Sequence, residues 1–120
     1  MCNSLHSDSV PISKTGYGWK IVIKGSNKEI ISPVDRASYL KSKGGIITWT
    51  GKEVNGFCFF LKKKEAIRTS KAYDWMRISD ARQIVVKIRY FKGMGKHIET
   101  YFISGHKVEI ALCKKFQFIK

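Results

Sequence analysis

Hydrophobic and polar positions alternate most clearly over YGWKIVIK (17–24), where Trp19, Ile21 and Ile23 fall on one side and Lys20, Val22 and Lys24 on the other. A period of two predicts a half-buried strand. GSNK then turns the chain, and EIIS predicts a short returning strand. SPVDRASYLKSKGG (32–45) carries helix punctuation at both ends: Ser32 as cap, Pro33 at the first helical position, Asp35 in the first turn, and Lys41, Lys43 and Gly44 at the close. IITWT (46–50) and FCFF (57–60) are rich in β-branched and aromatic residues, and the polar GKEVNG between them reads as a hairpin loop. The lysines after Leu61 open a second helix, KKKEAIRTSKAYDWM. QIVVKIRYF (83–91), HIETYFI (97–103) and KVEIALC (107–113) predict three strands of a meander joined by KGMGK and SGH, with FQFI prolonging the last strand after a bulge at Lys114 and Lys115.

These elements add up to an α+β fold, a mostly antiparallel sheet of about five to seven strands with two helices covering one face. Residues 1–16 show no periodicity and are expected to form a flexible arm, leaving 17–120 as one domain. No apolar run approaches the roughly 20 residues a membrane helix needs, and the N-terminus lacks the pattern of a secretory signal. The expectation is a protein kept inside the cell, in the cytoplasm, without a membrane partner.

Charge changes the picture most. Lys and Arg total 23 against 9 Asp and Glu, a formal +14, and the asymmetry is uneven: residues 57–120 hold 15 basic and 5 acidic side chains, residues 1–56 only 8 and 4. A field of this size draws polyanions, although a lysine-rich surface also serves solubility alone.

Two basic surfaces stand out. On a helical wheel over 62–75, Ala66, Ile67, Ser70 and Tyr73 share one face, whereas Lys64, Arg68 and Lys71 follow i, i+4, i+7 on the other, with Lys62 and Lys63 before them and Trp75 at the end. Such a line suits phosphates and its terminal aromatic suits an unpaired base, yet any amphipathic helix needs a polar face. In QIVVKIRYF, alternation buries Ile84, Val86, Ile88 and Tyr90 and leaves Val85, Lys87, Arg89 and Phe91 together; Lys92 and Lys96 extend this set around two glycines. That glycine segment lacks the phosphate-loop pattern and reads as a hairpin turn with basic flanks.

Other chemistry is thin. Cys2, His6, Cys58, His97, His106 and Cys113 supply metal-ligand types without zinc-site spacing, so no metal and no cofactor are expected, and three scattered cysteines argue for reduced thiols. His97 and Glu99 share one side of a strand, which permits an acid–base pair. Cys2 would follow a free amine once Met1 is removed; this resembles the N-terminal cysteine of class II glutamine amidotransferases and abasic-site crosslinking proteins, and implies a nucleophile. NGFCFFLKKKEA followed by IVVKIRY resembles the ADP-ribosyltransferase superfamily, which binds NAD; the resemblance implies roles for Tyr73 and Glu109.

Taken whole, a compact basic chain beginning MCN, with GFCFF and a terminal EIALCKKF, resembles the small proteins of phages that infect low-GC bacteria. That resemblance implies an accessory or anti-defence factor, including anti-CRISPR inhibitors of RNA-guided nucleases, acting in the host cell interior. The reading that joins these strands is a non-enzymatic protein that binds nucleic acid, RNA or single strands foremost, or a nucleoprotein complex such as an RNA-guided nuclease. The contacts would fall on Lys62, Lys63, Lys64, Arg68, Lys71, Trp75, Lys87, Arg89, Lys92 and Lys96. Two alternatives stand beside it: a small enzyme of either kind above, or an inhibitor that binds only protein through the same basic face.

Overall fold

The computed structural model describes residues 7–24, 30–31, 46–49, 55–72, 82–100 and 105–119. In chain order the elements are β1 (Thr15–Lys24), β2 (Ile30–Ile31), β3 (Ile47–Thr48), β4 (Phe57–Phe60), α1 (Lys63–Ala72), β5 (Arg82–Thr100) and β6 (Lys107–Phe118). All strands belong to one antiparallel sheet. β1 pairs along its full length with the first half of β5 and touches β4 through Trp19 opposite Phe60, while β6 pairs with both β4 and β5. The four strands β1, β5, β6 and β4 therefore close into a ring.

Ring closure explains a departure from the expected half-buried first strand. Lys20, Ile21, Val22 and Ile23 are all buried, so β1 is covered on both faces at this end. Alternate residues enter two cores: Ile21, Cys58, Phe60, Val108, Ile110 and Leu112 on the side that receives Ala66 of α1, and Val22, Phe59, Ile88, Tyr90, Ala111, Cys113 and Phe116 on the other. On β6 the second core takes Ala111 and Cys113 and then Phe116 and Phe118, so the alternation changes phase across Lys114 and Lys115, where a bulge is predicted.

The expected three-strand meander is instead two long strands. At about 3.3 Å per residue a straight strand of β5's 19 residues would span roughly 60 Å, well beyond the 39 Å longest dimension of the molecule. β5 must bend, and it bends within KGMGK: Lys92 has φ 52° and the register with β6 shifts between Gly93 and Gly95. A Cβ on Gly93 would lie 2.2 Å from the Ser13 carbonyl oxygen, so glycine is what lets the N-terminal segment lie against the bend. The glycines make a bulge and not a turn because β6 continues past them as a template.

The expected hairpin of IITWT with FCFF does not form either. β3 faces Phe116 and Lys115, β4 faces residues Cys113 to Ile110, and both run in the same direction along one edge of β6. Trp49 N–H donates to the Lys114 carbonyl at 2.8 Å, and β4 begins on the same edge at Phe57.

One helix, not two, is present among the described residues; the other expected helix, 32–45, lies outside them, as do positions 73–76 of the second. The inward face of α1 centres on Ala66 and Thr69, both fully buried, with Ile67 only half-buried. Small side chains allow the helix to lie close to the sheet, which the wheel's emphasis on Ile67 does not anticipate. The expected arm is held over its described part: Val10 and Lys96 exchange two backbone hydrogen bonds of 2.8 Å, Gly93 N–H donates to the Lys14 carbonyl at 3.0 Å, and the Ser13 and Tyr90 hydroxyls lie 2.8 Å apart.

Candidate nucleic-acid interface

The register of β1 on β5 sets three rows of side chains on one face of the sheet: Thr15 beside Phe91, Tyr17 beside Arg89, Trp19 beside Lys87. It is the same face that, one row further on, carries Ile21 into the core beneath α1. The helix covers that part and stops, so the rows beyond its first turn emerge into solvent. Tyr17 is 57% exposed, and Lys87 and Arg89 are exposed while Trp19 and Phe91 are half-buried.

Cations and rings interleave across these rows. The Arg89 guanidinium lies 5.3 Å from the Phe91 ring centre, and the Lys87 ammonium lies 4.9 Å from that of Tyr17 and 5.7 Å from that of Trp19. From the other side Lys63, the first residue of α1, brings its ammonium to 5.1 Å from Trp19. Each such contact at an exposed site is worth about 0.5–1 kcal/mol, enough to hold a long side chain in place without burying its charge.

Four hydrogen bonds fix α1 so that Lys63 arrives there. The Glu65 carboxylate accepts from the Glu109 backbone N–H at 3.2 Å, the Gln83 amide donates to the Ser70 carbonyl and hydroxyl at 2.9 Å, and the Thr69 hydroxyl lies 3.2 Å from His106 Nε2. Trp19 thus joins the two basic surfaces of the sequence, one from the helix and one from the sheet.

The remaining candidates fall around this centre unevenly. Lys62, Lys64, Arg68 and Lys71 are exposed on and just before α1, and Lys92 is exposed at the bend of β5. Lys96 is half-buried, 3.6 Å from the Glu109 carboxylate, on the half of β5 beyond the bend. Trp75 lies outside the described residues. Tyr17 and Trp19 were not among the sequence candidates. Their signal was present as Tyr-x-Trp in an alternating strand, but that pattern reads equally as core, and only the end of the helical cover decides between the two.

Other reactive groups lie apart from this face. His97 Nε2 and Glu99 Oε1 are 2.9 Å apart, the pair the strand period permits, with the His97 side chain fully buried. Glu109, implied by the transferase resemblance, is the partner of Lys96, while Tyr73 is outside the described residues. Among the described residues no group of three metal-ligand types converges. Lys20 is buried, its ammonium donating to the Cys58 carbonyl at 2.8 Å and lying over the rings of Phe116 and Phe57 at 5.1 and 5.8 Å.

Cys58 and Cys113 are buried thiols outside any disulfide. Burial raises the pKa of both, that of Cys113 to about 12, with the Lys20 charge pulling the other way. Both should therefore resist iodoacetamide in the native state and react once urea unfolds the chain, as read by mass spectrometry. Because the folded pKa lies above the unfolded one, this stabilisation is complete below about pH 9 and is lost as pH rises toward about 12. Cys113→Ala should flatten that alkaline decline in the urea midpoint relative to the parent chain.

Comparison with protein-family models, curated proteins and solved structures finds no match to this chain.

Proposed function

We propose that this chain is a non-enzymatic protein that binds nucleic acid, unpaired strands in preference, through the face built by β1, β5 and the start of α1. One observation carries the reading: the ammoniums of Lys63 and Lys87 both lie over the ring of Trp19, at 5.1 and 5.7 Å from its centre, with Tyr17, Arg89 and Phe91 in the adjoining rows. Cations supply the salt-dependent attraction to phosphates, and exposed aromatic rings supply a surface every base can stack on. The +14 net charge adds long-range steering toward a polyanion. The phage-type resemblance offers one setting for such a strand, the nucleic acid held by an RNA-guided nuclease.

Fluorescence anisotropy with labelled single-stranded RNA, duplex RNA and duplex DNA, each over a salt series, tests this. The expected result is tighter binding of the single strand, retained at physiological salt, with log K falling linearly against log salt. Equal and weak binding of all three forms, vanishing together as salt rises, would reduce the charge to a generic attraction and redirect the search to a protein partner.

A further inference from the structure

We propose that the face divides its labour, with Tyr17 as the residue that stacks on an unpaired base and Trp19 as a positioning residue that holds two phosphate-binding ammoniums in place. This rests on the nucleic-acid reading above and goes on to say which residue meets which part of the ligand.

The division follows from what each ring already touches. Trp19 is half-buried, packs against the core beneath α1, and has both Lys63 and Lys87 near its ring. The two distances place the ammoniums within about 11 Å of each other. Tyr17 is 57% exposed, stands one row further from the helix, and has only the Lys87 ammonium over its ring among the described cation–ring contacts. A base therefore finds Tyr17 accessible and Trp19 engaged.

Spacing then selects the kind of strand. Phe91 sits diagonally across the β1–β5 pair from Tyr17, and such diagonal positions lie about 7–8 Å apart. Stacked nucleotides rise about 3.4 Å per step along a strand. Two consecutive bases reach both rings only if the strand is drawn out to roughly twice its stacked length, which an unpaired strand tolerates and a duplex does not. Arg89, opposite Tyr17 and itself over Phe91, is placed to follow the phosphate between the two bases, and Lys87, over Tyr17, the phosphate on the side toward Trp19. The ligand class is an extended, unpaired stretch of at least two nucleotides.

The test uses anisotropy with three probes: a short single-stranded RNA, a strand of the same length without bases, and the RNA duplex, each over a salt series. Tyr17→Ala should weaken the base-bearing strand roughly 5- to 150-fold and the base-free strand far less, with the salt slope lowered by no more than about 0.7, because only the Lys87 ammonium loses a neighbouring ring and Trp19 still holds it. Tyr17→Phe should behave like the parent chain. Trp19→Ala should weaken both strands and lower the slope by up to about 1.4, the loss of two phosphate contacts on a single strand. Because Trp19 also packs on the core, Lys63→Gln with Lys87→Gln gives the same slope reading without disturbing that packing. Equal weakening of base-bearing and base-free strands by Tyr17→Ala would overturn the assignment while leaving nucleic-acid binding intact. Failure of the parent chain to bind any probe would overturn both.

Discussion

Phe59→Ala is expected to bring the domain close to its unfolding limit. Phe59 is fully buried in the second core, its ring centre 4.8 Å from that of Tyr90, and the space above Gly18 is filled by its edge. Truncating a buried phenylalanine costs about 3–5 kcal/mol, against a total of about 5–15 kcal/mol for a domain of ordinary stability. The melting temperature should fall by roughly 10–20 °C. A Cβ on Gly18 would lie 2.3 Å from Phe59 Cδ2, so Gly18→Ala should by itself cost about 1–3 kcal/mol through overpacking. Combining it with Phe59→Leu should cost less than the two single changes added, with a coupling of about 0.5–3 kcal/mol in urea titrations. Strict additivity would mean that this contact does not set the spacing of β1 and β4. Gly18 lies between Tyr17 and Trp19, so the same contact also seats the proposed binding face.

Reversing Lys87 and Arg89 together to glutamate should abolish most single-strand binding. Both are exposed, both stand on the outward rows of β5, and each is held over a ring that a base would share. Hydrogen bonds to charged partners contribute about 1.5–3 kcal/mol each, and reversal adds repulsion to that loss, so a decrease of at least a hundredfold in affinity is expected. Stability should change by less than about 2 kcal/mol, since the exposed cation–ring contacts given up are individually weak. Circular dichroism melts distinguish the two effects.

Much of the fold is legible in residue patterns, and the failures share a cause. β1 and α1 follow from period-two and period-3.6 alternation, β4 from its aromatic content, and the prolonged β6 from FQFI after a bulge, all of which local sequence controls. The hairpin expected between IITWT and FCFF and the turn expected at KGMGK fail because pairing partners are a tertiary choice. A long β6 templates β3 and β4 along one edge and carries β5 through its bend on the other. The outward position of Lys87, Arg89 and Phe91 is readable from alternation alone. The placing of Lys63 and Lys87 on one ring, that of Trp19, is not, because it depends on where the helix stops covering the sheet. Lys20 shows the same limit from the other direction: alternation puts it on the open side of β1, and ring closure buries it over two aromatic rings.

The central claim is one of place: binding belongs to the β1–β5 face and not to the net charge. The most direct test compares Lys87→Glu with Arg89→Glu against a charge-matched control, Lys24→Glu with Lys107→Glu, which lie off that face. Each pair lowers the net charge from +14 by the same amount. In a salt series with labelled single-stranded RNA, the first pair should lose affinity at every salt and flatten the slope by about 1.4, while the control keeps the parent slope and most of its affinity. Equal losses in the two pairs would contradict the account and leave a polycation with no particular binding face.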